Sequence, residues 1–291
     1  MSTILGAIRL LLVSINTVLA SVGLFILAPF KAMPAHSVKR WVRSLSESIA
    51  EGWIGINNAL ISTTGTRWGV DMPQGLDRDS SYLVVSNHQS WVDILVLQRV
   101  LNRKIPFMRF FIKQQLIWVP VIGLAWWALD FPFMRRYSRE QVRKKPELKG
   151  KDLETARRAC EKFRDMPTSM MSFLEGTRLT AAKQKRQGSP YRNLLLPRVG
   201  GVSQVFHAMA DSLKGVVDVT IVYKGEAPTL WQLLCGRIPQ VLVDVRRLAI
   251  DGNLLGQDSG DADFRERLAS WADSLWQAKD ERIDALRAGL V

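Results

Sequence analysis

The residues whose types and spacing suggest chemistry lie in the segment Tyr82-Leu-Val-Val-Ser-Asn-His-Gln-Ser-Trp-Val-Asp93. Within one helix, the five-residue spacing of His88 and Asp93 would point the two side chains away from each other. An apolar, strand-like run ends at Ser86, however, and a helix-like run begins near Ser90. His88 is therefore expected in a strand-to-helix turn, where the Asp93 carboxylate can reach its imidazole. A carboxylate on one ring nitrogen leaves the other nitrogen as a general base.

The same pattern also fits an ordinary helix N-terminus that carries a solvated histidine, and the sequence leaves this alternative open. The other two histidines, His36 and His207, have no carboxylate nearby in sequence apart from Asp211, and His207 is expected on a helix surface. The two cysteines, Cys160 and Cys235, are too few and too isolated for a disulfide framework. Histidines and cysteines together lack the spacing of metal ligands, so the sequence predicts no metal site.

A second group of candidate residues follows the strand-like run from Thr168 to Leu174. A glycine at such a point lets the backbone turn sharply, and an arginine with free main-chain amides can hold a phosphate. Six basic residues and no acidic residue lie between Gly176 and Ala210, a pattern that a solvated basic loop would also produce. The four candidate residues that directly follow this run are Glu175, Gly176, Thr177 and Arg178.

The N-terminal segment indicates that the protein is anchored to a membrane. Leu10 to Phe30 comprises 21 residues without a formal charge. As a helix this segment would be roughly 31 Å long, enough to cross a bilayer core. A cleaved signal peptide is the alternative, but the stretch is long and Pro29 with Phe30 makes a poor cleavage site. The segment either crosses the bilayer or bends at Gly23 or Pro29 and lies in one leaflet. Basic residues cluster after it, so the positive-inside rule predicts that everything after residue 30 lies on the cytoplasmic face, which in a bacterium would be that of the inner membrane.

Three further stretches are predicted to be helical. Residues 38–62 carry an apolar stripe at helical spacing. The uncharged run from Leu116 to Leu129 is too short to span a bilayer, so it forms either a buried core helix or an interfacial one. Residues 258–288 read as an amphipathic C-terminal helix without a chemical role. The apolar residues on one side of that helix are Phe264, Leu268, Trp271 and Leu275.

The distribution of charged residues along the chain limits which kinds of partner the protein is expected to bind. The chain has 291 residues and a formal net charge of +13, from 40 Lys plus Arg and 27 Asp plus Glu. Residues 99–200 hold 23 basic and 8 acidic side chains, so the excess belongs to this middle block. Such a block favours an anionic partner, namely phospholipid, a phosphorylated substrate or nucleic acid. Because the apolar content is 47%, a disordered chain is excluded.

With these motifs in view, the sequence resembles the lysophospholipid acyltransferase family, whose best-known members acylate 1-acylglycerol-3-phosphate. The first block of that family, Asn-His-x4-Asp, is matched by Asn87, His88 and Asp93. Its third block, Glu-Gly-Thr-Arg, is matched in full by residues 175–178.

Three other family blocks have counterparts here. The second block ends in Phe-x-x-Arg, which places Arg136 in the arginine position. The fourth is a hydrophobic strand, for which residues 217–223 are the candidate. Residues 194–200 resemble the Leu-Pro-Arg block of one branch of the family and contribute Arg198.

The resemblance implies an O-acyltransferase in which His88, oriented by Asp93, deprotonates the free hydroxyl of a lysophospholipid. That oxygen attacks an acyl thioester, either acyl-CoA or acyl-carrier protein, which is a co-substrate rather than a cofactor. An anionic membrane surface is a further expected partner. The residues expected to bind the acceptor are Glu175, Gly176, Thr177 and Arg178, with Arg136 and Arg198 as additional anion contacts.

The sequence as a whole predicts an α/β fold, with a mixed sheet of about seven strands flanked by helices and preceded by a membrane helix or helical hairpin. Residues 1–62 form the anchoring region, residues 63–250 the acyltransferase domain, and residues 251–291 a helical segment that packs on the same domain. The alternative is a basic, membrane-tethered protein that binds nucleic acid or lipid without catalysis. No known nucleic-acid motif is present, and such a protein would not need the His88–Asp93 pair, so nucleic acid is not expected as a partner.

Overall fold

The structure is a computed structural model that describes residues 2–134, 143–144, 151–163, 166–255 and 261–290. Among these residues strands and helices are interspersed along the chain, in agreement with the α/β prediction. The strands are β1 (Arg67–Asp71), β2 (Ser81–Ser86), β3 (Met108–Phe110), β4 (Ile112–Lys113), β5 (Phe133–Met134), β6 (Ser169–Phe173), β7 (Leu213–Tyr223) and β8 (Gln240–Leu248).

The main sheet has the strand order β1-β8-β7-β2-β6-β3, and β4 pairs with β5 in a small separate sheet. β7 and β8 run antiparallel, whereas every other neighbouring pair in the main sheet is parallel. The predicted mixed sheet flanked by helices is therefore confirmed. The main sheet has six strands in the described residues, where about seven were predicted.

Helices cover both faces of the sheet and precede it. The apolar side of each helix packs on an apolar face of the sheet, because neither element can bury its apolar side alone. They are α1 (Ser2–Leu27), α2 (His36–Ser62), α3 (Val92–Leu101), α4 (Ile122–Ala128), α5 (Lys151–Glu161), α6 (Ala181–Gln187), α7 (Gly200–Ala208), α8 (Leu230–Leu234) and α9 (Ala262–Ala288), with short 3₁₀ helices at Ala28–Ala32, Gln114–Trp118 and Gly252–Leu254.

The sheet has a hydrophobic core on each face, and the central strand β2 contributes side chains to both, because successive side chains of a strand point to opposite faces. Leu83 and Val85 pack with side chains of α7 and α9 on one face. Tyr82 and Val84 pack with those of α3 on the other. All six residues of β2 are buried, as expected for a strand with parallel neighbours on both sides.

α1 is the one helix in the described part of the chain that is long and apolar enough to cross a membrane, with a mean hydropathy of 2.4 over its most apolar window. It also packs along α2 through polar contacts. The Asn16 side-chain amide donates to Asn57 Oδ1 at 2.9 Å, and Trp53 Nε1 donates to Thr17 Oγ1 at 3.0 Å. Buried Arg9 donates to the main-chain oxygen of Leu234 at 2.7 Å, which ties α1 to α8.

The uncharged run from Leu116 to Leu129 is not a buried core helix. It forms a 3₁₀ helix, a turn and α4, and only part of it is covered. Ala128 and Leu129 are buried beside α1 and α2, whereas Trp118 is 85% exposed and Trp127 is 47% exposed. The run therefore combines core contacts with an exposed apolar surface.

The C-terminal helix α9 agrees with the predicted amphipathic stretch from Ala262 onward, and the first residues of that stretch lie outside the described residues. Phe264, Leu268 and Leu275 are buried against the sheet, as their spacing predicts. Trp271 packs at the edge of the same core, with its ring edge-on to Phe206.

Candidate active site

The turn that carries the candidate base joins β2 to α3 at the carboxyl end of the central strands. Asn87 fixes this turn to β7, because its side-chain amide pairs with both main-chain groups of Ile221, at 2.9 Å each. The Gln89 side chain donates to the same Ile221 oxygen at 2.9 Å. The turn is thus held by the neighbouring strand as well as by its own residues.

His88 and Asp93 lie together, as their spacing predicts. His88 Nδ1 is 2.9 Å from Asp93 Oδ2. Since a carboxylate only accepts, Nδ1 carries the proton and Nε2 is left as an acceptor. The imidazole stacks on Phe173 with 3.8 Å between ring centroids and an interplanar angle of 12°. The His88 side chain is 13% exposed, so a substrate can still reach it.

Asp93 is fully buried in the first turn of α3 and accepts three further hydrogen bonds. The main-chain N–H groups of Gln89 and Ser90 donate to Oδ2 at 2.6 and 2.8 Å. The Tyr223 hydroxyl donates to Oδ1 at 2.6 Å. Burial and the Asp93 charge raise the pKa of Tyr223 well above its ordinary value, so this hydroxyl keeps its proton. The carboxylate is therefore rigidly positioned to orient the imidazole.

Glu175 is buried at the end of β6, and both of its carboxylate oxygens are bonded within the protein. The main-chain N–H of His88 donates to Oε1 at 2.7 Å, and that of Leu195 donates to Oε2 at 2.9 Å. Burial raises the pKa of Glu175 to about 7, although the two N–H donors counteract part of the rise. In this structure Glu175 links two segments of the site from the inside, and its contact with the acceptor stays a prediction of the resemblance.

Gly176 has a φ of +66°, in the region that favours glycine. A Cβ at this position would lie 3.2 Å from Cδ of Arg198, so the Arg198 side chain would have to shift by a few tenths of an ångström to admit it. The Arg198 main-chain N–H donates to the Leu174 oxygen at 2.7 Å, which joins the same segments. The Leu179 N–H donates to the His88 oxygen at 2.7 Å and joins this turn to the His88 turn.

Thr177 and Arg178 lie on the open side of this turn. Lys183 Nζ donates to Thr177 Oγ1 and to the Arg178 main-chain oxygen, both at 2.8 Å. The Arg178 guanidinium lies 5.1 Å from the ring centroid of the exposed Trp91. Arg178 and Arg198 are both exposed, and neither forms an ion pair within the described ranges. In the part of the chain that the structure describes, no carboxylate therefore competes with an anionic ligand for these two charges.

Of the predicted site residues, the structure brings seven together around the carboxyl ends of β2 and β6. They are His88, Asp93, Glu175, Gly176, Thr177, Arg178 and Arg198. Arg136 lies outside the described residues. In the part of the chain that the structure describes, no group of three His, Cys, Asp or Glu side chains is arranged to hold a metal ion.

Sequence reasoning missed three contributors to the site. Tyr223 ends the apolar run assigned to the fourth block, and only its position beside the β2–α3 turn identifies it. Phe173 ends β6 and stacks on the imidazole. Trp91 lies between the two motif residues and stacks with Arg178. For Trp91 a signal existed, because a tryptophan in a polar turn is unusual.

This geometry can remove a proton from a hydroxyl group. Nε2 of His88 has no hydrogen-bond partner among the described residues, and Nδ1 is held by a buried carboxylate. Cationic side chains lie on the open side of the adjacent turn. A base beside an anion-binding surface suits a phosphorylated alcohol.

Comparison with known proteins agrees with this chemistry. A model of the family described as Acyltransferase matches residues 69–224. This span is more than half of the chain, and it includes His88, Asp93 and residues 175–178.

Individual relatives are more distant. The 1-acyl-sn-glycerol-3-phosphate acyltransferase gamma of Homo sapiens is 25% identical over 211 residues, covering 68% of this chain and 51% of the relative. The 1-acyl-sn-glycerol-3-phosphate acyltransferase 3 of Arabidopsis thaliana is 26% identical over 220 residues, covering 69% and 52%. The chain spans about half the length of the curated relatives it matches. The crystal structure of the 1-acyl-sn-glycerophosphate (LPA) acyltransferase PlsC from Thermotoga maritima is similar, with a TM-score of 0.49 and 16% identity over 92% of this chain and 98% of that one.

Proposed function

Since the chain belongs to the Acyltransferase family, we propose that it is an O-acyltransferase that esterifies the free hydroxyl of a lysophospholipid such as 1-acylglycerol-3-phosphate. The observation that carries this proposal is the bond between His88 and Asp93, 2.9 Å long, beside the exposed guanidinium of Arg178. The pair supplies a base for the hydroxyl, and the cation supplies a contact for the phosphate. The named activities of the relatives support the same choice of acceptor.

In the proposed reaction, Nε2 of His88 takes the proton from the acceptor hydroxyl as its oxygen attacks the thioester carbonyl carbon. Main-chain amides near the turn, together with arginine, stabilise the negative charge that develops on the carbonyl oxygen. The carbon–sulfur bond then breaks, and the imidazolium returns its proton to the departing thiolate. The buried Asp93 carboxylate stabilises the imidazolium between these two steps.

The acceptor headgroup is expected on the surface formed by Thr177, Arg178 and Arg198. Lys183 lies behind Thr177 and adds a further positive charge. A guanidinium can bind two phosphate oxygens at once, and Trp91 holds the Arg178 side chain in place by stacking. Arg136 completes the proposed set of anion contacts by its position in the family motif.

The acyl donor is expected to be acyl-CoA or acyl-carrier protein, both of which are anionic. The basic excess of residues 99–200 favours either carrier by electrostatic attraction. Between Asp93 and Asp130 the chain contains five basic residues and no acidic one.

We further propose that the protein works at a membrane, with α1 as its anchor and the rest of the chain on the cytoplasmic side. Two observations support contact with lipid. α1 exposes large apolar side chains along its length. The segment around α4, which packs beside α1, exposes an apolar patch that consists of Trp118, Val121, Ile122, Leu124 and Trp127.

The backbone of this patch is itself unusual. Val121 has a φ of +65°, which is strained for a β-branched residue. A Cβ on Gly123 would lie 2.2 Å from the Ile117 oxygen, so the tight turn depends on that glycine. Lys31, which follows α1, donates to Asp130 at 2.7 Å and lies 5.7 Å from the Trp127 ring centroid. The patch is thus held against the end of the proposed anchor and continues its apolar surface.

The test of the function is acyl transfer by purified protein in detergent, with lysophosphatidate and other lysolipids as acceptors and acyl-CoA or acyl-carrier protein as donors. We expect His88→Ala to lower kcat by at least about 100-fold, because general base catalysis contributes roughly 10²–10⁴. The matched control is His36→Ala, since His36 is exposed at the start of α2, and it should match the wild type.

Two outcomes would contradict the proposal. Equal product formation by the wild type and His88→Ala would show that His88 is not the general base. A wild-type protein that binds lysolipid vesicles or nucleic acid and transfers no acyl group from either donor would instead favour the binding protein without catalysis.

A further inference from the structure

The C-terminal helix α9 contacts the candidate site through a continuous series of buried hydrogen bonds. Trp276 is fully buried, and its Nε1–H donates to the Leu195 oxygen at 3.1 Å. The N–H of Leu195 in turn donates to Glu175 Oε2 at 2.9 Å. Oε1 of Glu175 accepts from the His88 main-chain N–H at 2.7 Å. One residue of a loop, Leu195, therefore links α9 to the residue that carries the proposed base.

Asp280, one helical turn after Trp276, binds the same loop. Its two carboxylate oxygens accept the main-chain N–H groups of Arg192 and Asn193, at 2.8 Å each. Residues 189–198 form neither helix nor strand. Their buried main-chain groups therefore need partners outside regular secondary structure. α9 supplies these partners to the segment that also contains Arg198.

α9 is attached to the sheet independently of this loop. Lys279 is fully buried, with Nζ 2.5 Å from Asp218 Oδ1 and donating to the Val219 oxygen at 2.7 Å. Both partners belong to β7. A change to a loop contact should therefore leave the helix on the sheet, which separates the position of the loop from the docking of α9.

We propose that Trp276 and Asp280 are positioning residues: they hold residues 192–195 so that Glu175 fixes the His88 turn and Arg198 faces the acceptor. This inference rests on the proposed acyl transfer for its kinetic readout. It gives a role in the site to a helix that the sequence alone leaves without one. It concerns positioning only, because neither residue contacts the reacting atoms.

The first test compares single substitutions that each remove one hydrogen bond to the loop: Asp280→Asn keeps side-chain size, whereas Trp276→Phe leaves a smaller ring in the core. Trp276→Phe removes the N–H donor, and Asp280→Asn removes one of two acceptor oxygens. Each is expected to lower kcat/KM for acyl transfer about 10-fold, because small displacements of catalytic groups have effects of this size or larger. Glu281→Gln is the matched control for Asp280→Asn, since Glu281 is the next residue on α9, is exposed and loses the same charge. It should leave kcat/KM unchanged.

The pH profile distinguishes positioning from general destabilisation. The Leu195 and His88 N–H groups and the charge of Lys279 lower the pKa of Glu175, whereas burial and Asp93 raise it. A weaker Leu195 bond lets this pKa rise above about 7, and a protonated carboxyl accepts two N–H donors poorly. We therefore expect the acidic limb of kcat/KM to move to higher pH in Trp276→Phe, and to stay in place in Glu281→Gln.

Amide hydrogen exchange in the 291-residue chain supplies a readout that does not need activity. Trp276→Phe and Asp280→Asn should speed exchange in residues 86–90 and 192–195, and leave exchange in β7 unchanged. Exchange and acidic limbs identical to the wild type in both variants would overturn the inference, even if kcat/KM fell. A wild type without acyl transfer would refute the proposed function, and exchange would still decide the inference. If Trp276→Phe does not fold, Asp280→Asn decides it alone.

Discussion

Asp93 accepts hydrogen bonds from the His88 imidazole, from two main-chain N–H groups and from the Tyr223 hydroxyl. Such a buried carboxylate has no freedom to rotate, so the imidazole that depends on it is also fixed. At the scale of single residues, the site therefore works through a third member that is not part of the His-x4-Asp motif. This third member is Tyr223, which lies on β7, 130 positions after Asp93 in the chain.

Replacement of this third member tests that role. We expect Tyr223→Phe to lower kcat by several-fold and the free energy of unfolding by about 1–3 kcal/mol, because Asp93 Oδ1 loses its hydroxyl donor while buried. Acyl-transfer kinetics and chemical denaturation measure the two effects.

Tyr82→Phe provides a matched control within the same core. Tyr82 is also a buried strand tyrosine, and its hydroxyl donates to Asp77 at 3.2 Å, at the amino end of β2. This variant should lose stability and keep the wild-type kcat. A fall in kcat of the same size in both variants would mean that the Tyr223 effect comes from lost stability alone.

At the scale of elements, the parallel register of three strands assembles the site. Ser86, the last residue of β2, pairs with Phe173 on one side and with Val219 on the other. The turns after β2 and β6 therefore begin at the same level of the sheet. β7 continues beyond Val219, which brings Tyr223 beside Asp93. Because the turns are attached to strand ends, their mutual position depends on the sheet more than on the loops.

The turn after β6 depends on a glycine, and Gly176→Ala tests that dependence. A positive φ and the contact with Arg198 are expected to lower the free energy of unfolding by about 1–3 kcal/mol and to raise KM for the lysolipid several-fold. Gly188→Ala is the control, since Gly188 has a φ of +59° with no atom within 4 Å of its added Cβ. This control variant should lose stability and keep the wild-type KM for the lysolipid. An unchanged KM in Gly176→Ala would separate this turn from acceptor binding.

Much of this arrangement is predictable from local patterns. The apolar run before Ser86 and the helical run after Ser90 place His88 in a turn, and the spacing to Asp93 then suggests the pair. The helices at His36–Ser62 and Ala262–Ala288 follow from apolar residues at helical spacing. These features depend on neighbours in sequence, which is why sequence periodicity detects them.

The remaining features depend on neighbours in space. The sequence groups Glu175 with the acceptor-binding residues, but the side chain is buried and accepts N–H groups from two other segments. Tyr223 reads as the last apolar residue of a strand until the register with β2 is known. Trp276 reads as one apolar residue among several, and its N–H has a role only because Leu195 lies within reach. Tertiary partners of this kind leave no periodic signal.

At the scale of the whole molecule, apolar and charged surfaces are arranged for a site that works beside lipid. α1 and the apolar patch of residues 118–127 belong to one side of the chain, since α4 packs on α1. β3 and β1 form the two edges of the main sheet, and β4, which leads into the patch, follows β3. Along the chain, the patch therefore follows the β3 edge of the sheet, which is the edge opposite β1.

This arrangement predicts that Trp118 is immersed in lipid and that Val70 on β1 is not. Both native cysteines are buried, so Trp118→Cys and Val70→Cys can each be labelled selectively with a small fluorophore. Val70 is the matched control because it is also an exposed apolar residue, at 41%. In vesicles that contain anionic phospholipid, the label at position 118 should be quenched by spin-labelled lipid and protected from aqueous iodide, because burial of a large apolar side chain contributes about 2 kcal/mol. The label at position 70 should show the opposite response. Equal quenching by iodide at the two positions would mean that the patch faces water, and α1 alone would then account for attachment to the membrane.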